Sequence, residues 1–169
     1  MRTLIRVLEA LVTLAGWVAG ALLVATAALI FTEIGLRLLA GRSTLVAQEY
    51  SGYLLAAMIY GAAGYTLAKG EHIRVGLLYE RLSPRGRRWL DRVALALGLF
   101  FASLLVLAFY SLFADSLHYH TRSFTPARTP MVYPHGGALF GAVLLWVEFL
   151  ALLLKSFLDP RGPWGEASR

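Results

Sequence analysis

Charged side chains leave four stretches of the chain untouched: residues 10–32, 50–68, 93–114 and 136–147, with the last resuming beyond Glu148 to residue 154. A helix crosses the hydrocarbon core of a bilayer, about 30 Å thick, with roughly 20 apolar residues. All four stretches reach or approach that length. Spanning β-strands would alternate apolar and polar positions over about 10 residues, and no such alternation is visible. The pattern predicts an all-α integral membrane protein, a single membrane domain over residues 1–169, with four transmembrane helices at about 10–36, 49–69, 90–115 and 134–156. The first stretch has a competing reading as a secretion signal, because Arg2 and Arg6 precede it and Ala25-Thr26-Ala27 has the form of a cleavage site. Its apolar run continues to Thr32, beyond the roughly 7–15 residues of a signal core, so a retained helix is expected.

The segments between the stretches carry their own signals. Val75, Leu78, Tyr79 and Leu82 share one helical face, while Arg74, Glu80 and Arg81 fall elsewhere on the wheel. That spacing predicts a short cytoplasmic amphipathic helix at about 71–82, lying on the membrane surface. Ser83-Pro84 reads as an N-cap followed by proline at the first helical position, opening a helix that runs through Trp89 into the third span. Between the third and fourth spans, Pro126, Pro130 and Pro134 remove donors and fix the backbone, which predicts an extended segment.

Charge placement sets the orientation. With both termini in the cytoplasm, twelve of the sixteen Lys and Arg residues lie on the inner side, seven of them between Lys69 and Arg92. Cationic segments resist translocation and favour anionic cytoplasmic lipid. The net charge of +6 would suggest nucleic acid in a soluble protein, but here 58% of the residues are hydrophobic and only 15% charged. Topology is the better explanation, and no nucleic-acid partner is expected. The chain has no cysteine, so disulfides, thiolate catalysis, iron–sulfur clusters and cysteine zinc sites are excluded.

Candidate chemistry is sparse. Small residues recur at fourfold spacing: Gly16 and Gly20 in the first span, Gly137 and Gly141 in the fourth. Gly52, Ala56, Gly64 and Ala68 make a stripe on the second, interrupted at Tyr60. Such stripes let helices approach closely. Glu148 is the one carboxylate well inside a span, about 9 Å from its inner end. An ionised group at that depth needs a partner; a relay would need several such groups, so a polar contact to another helix or subunit is expected. Glu33 and Arg37 have the i, i+4 spacing of a helix-surface ion pair. His118 and His120 lie two apart and point in nearly opposite directions on a helix, a poor metal pair. The other two histidines are His72 and His135. No HExxH, GxSxG or phosphate loop occurs. No catalytic residue, cofactor or metal site is predicted, and the sequence shows no polar pathway across the bilayer. The rival class, a four-helix membrane enzyme or electron-transfer subunit, would need histidines facing one another within the spans. A free-standing carrier would need broken helices or several intramembrane polar groups.

Residues 37–82 resemble the small membrane subunit of tripartite ATP-independent periplasmic (TRAP) transporters, the DctQ-like family. An arginine ends the first span in Ile34-Gly35-Leu36-Arg37, and an acid opens the second in Gln48-Glu49-Tyr50. A small-residue helix follows, Gly61-Ala62-Ala63-Gly64-Tyr65-Thr66-Leu67-Ala68-Lys69. The most specific part is Gly70-Glu71-His72-Ile73-Arg74-Val75-Gly76-Leu77-Leu78. Span number, orientation and length extend the likeness to the whole chain. Two positions depart from it: one acid rather than a pair precedes the second span, and Gly76 stands where an acid is common. The resemblance implies a sodium-coupled, three-part system for uptake of an organic acid into a bacterium. A periplasmic binding protein captures the solute, and a large membrane subunit carries the substrate and sodium sites. The small subunit, in the inner membrane, supports the large one and helps receive the binding protein. Candidate subunit-interface residues are Arg37, Glu49, Glu71, His72, Arg74 and Glu148.

Overall fold

A computed structural model describes residues 2–69 and 82–158. Among these residues there are four helices: α1 (Arg2–Ala40), α2 (Ala47–Ala68), α3 (Pro84–Tyr119) and α4 (Val132–Leu158). The predicted surface helix at 71–82 falls outside the described residues, except for Leu82.

Local chemistry sets the helix ends. Gly41 adopts φ +60 just beyond α1, a left-handed conformation that glycine takes without a Cβ penalty, and the helix stops there. The Arg42 N–H reaches back to the Leu36 carbonyl at 3.4 Å. Ser83 caps α3 as its sequence predicted: its hydroxyl accepts from the Gly86 N–H at 3.3 Å, and Pro84 takes the first helical position.

The helices stand in a row rather than a closed bundle. The spatial order is α1, α2, α4, α3, each packed on the next, with only slight contact between α1 and α4. Gly16 of α1 faces the Tyr65 ring of α2, while Glu33 near the other end of α1 meets Thr44 just before α2, so the two run antiparallel. Tyr60 and Gly64 of α2 face Gly141 and Leu144 of α4, so those two run parallel. One end of the row therefore carries both described loops, 41–46 and 120–131. The other carries the start of α1 and the end of α4.

The core lies where α4 meets α2 and α3. Leu67, Leu95, Ala102, Leu145 and Leu152 are buried together, with Ala63, Trp146, Phe149 and Leu153 against them. The Trp146 indole N–H donates to Ser103 Oγ on α3 at 2.8 Å, so its polar edge is satisfied inside an apolar interface. By contrast, Trp17, Val24, Phe31 and Leu38 on α1 and Leu97, Phe100 and Leu107 on α3 are exposed. Apolar residues on an outer face suit hydrocarbon surroundings, where nothing drives them inward.

Three helices are long and apolar enough to cross a membrane: Thr13–Ala40, Arg85–Tyr119 and Val132–Leu158. The fourth, α2, has 22 residues and a length near 33 Å at 1.5 Å per residue. Its tyrosines, glycines, Gln48 and Glu49 lower its hydropathy. Like α4, it is covered on two sides, in its case by α1 and α4.

Close approach uses one glycine of each predicted pair. A Cβ on Gly141 would lie 2.6 Å from Tyr60 Cβ, and one on Gly16 2.7 Å from the Tyr65 ring. A Cβ on Gly64 would touch the Leu144 carbonyl at 3.7 Å. Gly20, Gly52 and Gly137 would meet nothing within 4 Å. An unpredicted contact has the same form, since a Cβ on Gly98 would run into the Phe149 ring.

Candidate functional site

Polar side chains converge at the loop end. Glu33, in the last turns of α1, forms the expected ion pair: Arg37 Nε donates to its Oε1 at 2.7 Å. The same carboxylate also accepts from the Ser43 hydroxyl and from both the backbone N–H (3.0 Å) and the hydroxyl of Thr44. Glu33 is buried, whereas the Arg37 side chain is 60% exposed. The pair is therefore more than a surface pair: Glu33 ties down the α1–α2 loop, and the guanidinium, whose Nη2 also donates to Ser43 Oγ at 3.3 Å, stays largely exposed.

Glu49 does the same for the second loop. Its position in the first turn of α2 is favourable for a negative charge. Tyr53 Oη, one turn on, donates to Glu49 Oε1 at 2.7 Å, and the Thr125 hydroxyl donates to Oε2. Thr129 Oγ1 donates to Tyr50 Oη at 3.4 Å, and Tyr53 also reaches Met131 Sδ at 3.4 Å.

The loop thus held is folded back on itself rather than extended. Ser123 N–H donates to the Thr129 carbonyl at 2.9 Å, Met131 N–H donates to the Thr121 carbonyl at 3.0 Å, and Arg122 and Pro130 form an antiparallel bridge. A turn at 125–128, with Pro126 second, closes on Arg128 N–H to the Thr125 carbonyl at 3.0 Å. Pro134 lies inside the first turn of α4, where helix amides have no intrahelical acceptor and proline costs little. The prolines shape a turn and a helix start, and the Ser and Thr hydroxyls supply the cross-links. Phe124 stands fully exposed near the tip. The Thr125 and Thr129 contacts to α2 were not anticipated; the signal for them was a hydroxyl-rich loop, Thr121, Ser123, Thr125 and Thr129, with no local carboxylate to serve.

The other candidate positions are dispersed. Glu148 is 4% exposed, inside the packed part of α4, and it has an interaction partner. Glu71, His72 and Arg74 fall outside the described residues. His118 and His120 are exposed at the end of α3, and His135 Nδ1 lies 2.7 Å from Ser116 Oγ. Among the described residues no group of three or more His, Asp or Glu could hold a metal ion. At the opposite end, Arg92 of α3 donates to the Ser156 carbonyl of α4 at 3.0 Å and stacks 4.5 Å from the Phe157 ring centroid.

The site is thus a surface of clamped loops at one end of the row of apolar helices. No curated protein matches the chain. A protein-family model described as tripartite ATP-independent periplasmic transporters, DctQ component, matches residues 26–159. That range takes in the second half of α1 and all of α2, α3 and α4, with both clamped loops. The chain belongs to the DctQ component family of TRAP transporters, and is a membrane component of a transport system rather than an enzyme.

Proposed function

We propose that this chain is the small permease subunit of a sodium-coupled TRAP system for organic acids, with four spanning helices, both termini in the cytoplasm, and the clamped loops outside the inner membrane. The observation that carries this reading is the open row of helices. α1 and α3 leave large apolar faces uncovered, and the helices enclose no core of their own beyond the line through α4. A helix row of this form fits a scaffold laid against a larger membrane partner. The orientation is supported by the twelve cationic residues that it keeps on the inner side. A fourth crossing, by α2, is supported by its length and by its place between α1 and α4.

In this arrangement the exposed Arg37 guanidinium and the ordered loop around Glu49 face the periplasmic side. Phe124 offers a contact for the binding protein there. Glu71, His72 and Arg74 would meet the large subunit at the cytoplasmic side.

Reconstitution tests the reading. Sodium-driven uptake of a carboxylate substrate into liposomes should require this chain together with the large subunit and the binding protein, and this chain alone should give none. Uptake by this chain alone overturns it, as does full uptake by the other two components without it.

A further inference from the structure

Where α1 and α4 diverge over α2, an apolar groove of about 230 Å³ opens to the outside of the row. Leu11, Val18 and Leu22 of α1 form one wall, Phe140 and Leu144 of α4 the other, and Gly61 of α2 lies in the floor. We infer that this groove holds an acyl chain of an anionic phospholipid from the cytoplasmic leaflet, with the headgroup at Lys69.

Depth, width and charge argue for that occupant. Leu11 and Leu22 are eleven residues apart on one helix, about 16 Å at 1.5 Å per residue. One leaflet contributes roughly half of a 30 Å hydrocarbon core, so the α1 wall of the groove is about one leaflet deep. Beyond Ala57 and Gly137 the space continues as a cleft lined by Tyr50, Tyr53, Thr129 and Tyr133, a different chemistry. About 230 Å³ of space spread along about 16 Å makes a channel far thinner than a helix 10 Å across. It admits an extended alkyl chain and is too narrow to enclose a helix. On α2 the fourfold series Ala57, Gly61, Tyr65 leads from the groove to Lys69, whose ammonium lies 5.7 Å from the Tyr65 ring centroid and is exposed. Leu11 on α1 stands near the same level, because Gly16 faces Tyr65 and the two helices are antiparallel. A cation two turns beyond Gly61, level with the Leu11 end of the groove, matches a phosphate headgroup above its chain. Assignment to the cytoplasmic leaflet rests on the orientation proposed above.

The test uses the full chain, alone and bound to its large subunit, loaded with equal phosphatidylglycerol and phosphatidylcholine and read by native mass spectrometry. One phospholipid should survive mild delipidation, with phosphatidylglycerol preferred. Gly137→Leu adds a side chain where an extra Cβ meets no atom within 4 Å, and should abolish retention by filling the groove. Val18→Trp, from the opposite wall, should do the same if the first variant folds poorly. Gly20→Leu, at an equally open glycine away from the groove, should leave retention unchanged. Lys69→Gln should keep the lipid and lower the phosphatidylglycerol preference about fivefold, the effect of one surface cation on anionic lipid. Retention unaffected by both groove variants overturns the proposal. So does loss of the lipid when the large subunit binds, which would make the groove a seat for a partner helix. Failure of the transport reading is separate, since it shows as absent uptake while lipid retention by this chain is still measured.

Discussion

Glu33 accepts four hydrogen bonds, and the arginine four residues on supplies only one of them. The other three come from Ser43 and Thr44, which the chain brings back by turning at Gly41. A glutamine at this position keeps one acceptor oxygen and turns an amide toward donors, so Glu33→Gln should release the loop. Arg37→Gln removes one donor and leaves the rest. The thermal unfolding midpoints in detergent should therefore fall in the order unmodified, Arg37→Gln, Glu33→Gln; an equal midpoint for Glu33→Gln and the unmodified chain contradicts the clamp. Glu49 predicts a similar effect on the second loop. Single cysteines report cleanly because the chain has none of its own. A cysteine at Pro126 should react faster with an impermeant maleimide when Glu49→Gln or Thr125→Val is also present, and the reagent should reach it from the periplasmic side.

At the scale of elements, contact distances separate structural glycines from incidental ones. At Gly141 the obstacle to a side chain includes the backbone of Tyr60, 2.9 Å from an added Cβ, which cannot swing aside. Gly141→Val should force α2 and α4 apart, at about 1–3 kcal/mol for overpacking. Gly20→Ala and Gly137→Ala should leave stability unchanged or slightly raised, because alanine loses less backbone freedom in a helix. Equal unfolding midpoints for Gly141→Val and Gly137→Ala would refute this ranking. The start of α3 gives a second test. Removing the Ser83 hydroxyl leaves the Gly86 N–H without its acceptor, and Ser83→Ala should cost about 0.5–2 kcal/mol. Hydrogen exchange of the first turn of α3 should quicken in that variant.

Taken whole, the row of helices gives buried and exposed polar residues different work. Arg37 lies at the loop end and presents its guanidinium outward, whereas Glu148 is enclosed within the row. Interhelical polar contacts in membranes are worth about 0.6–2 kcal/mol. Arg37→Gln should therefore reduce recovery of the large subunit several-fold in a pull-down normalised to the variant present in the membrane. Glu148→Gln should act first on this chain, lowering its own unfolding midpoint, and on association only through that loss. Unchanged recovery with Arg37→Gln removes this residue from the interface. Unchanged stability with Glu148→Gln removes the glutamate from the support of the fold.

Hydropathy alone determined the helical class and the approximate place of each helix, because transfer from water to hydrocarbon is a sum over neighbouring residues and needs no tertiary partner. Capping at Ser83-Pro84 and the Glu33–Arg37 pair were legible for the same reason: each is complete within one turn. The family, too, was legible in the residues from Ile34-Gly35-Leu36-Arg37 through Gly70-Glu71-His72. Tertiary structure decided the order α1, α2, α4, α3, which spacing within one helix does not encode. It also decided which glycines bear a neighbour, since Gly137 and Gly141 look alike in sequence and only the path of Tyr60 separates them. The form of the loop at 120–131 was likewise a tertiary outcome. Its prolines suggested an extended chain, but the Glu49 carboxylate and the tyrosines of α2, distant in sequence, gave its hydroxyls partners. A polar loop takes the shape that satisfies its hydrogen bonds, and here those partners exist only after the helices have assembled.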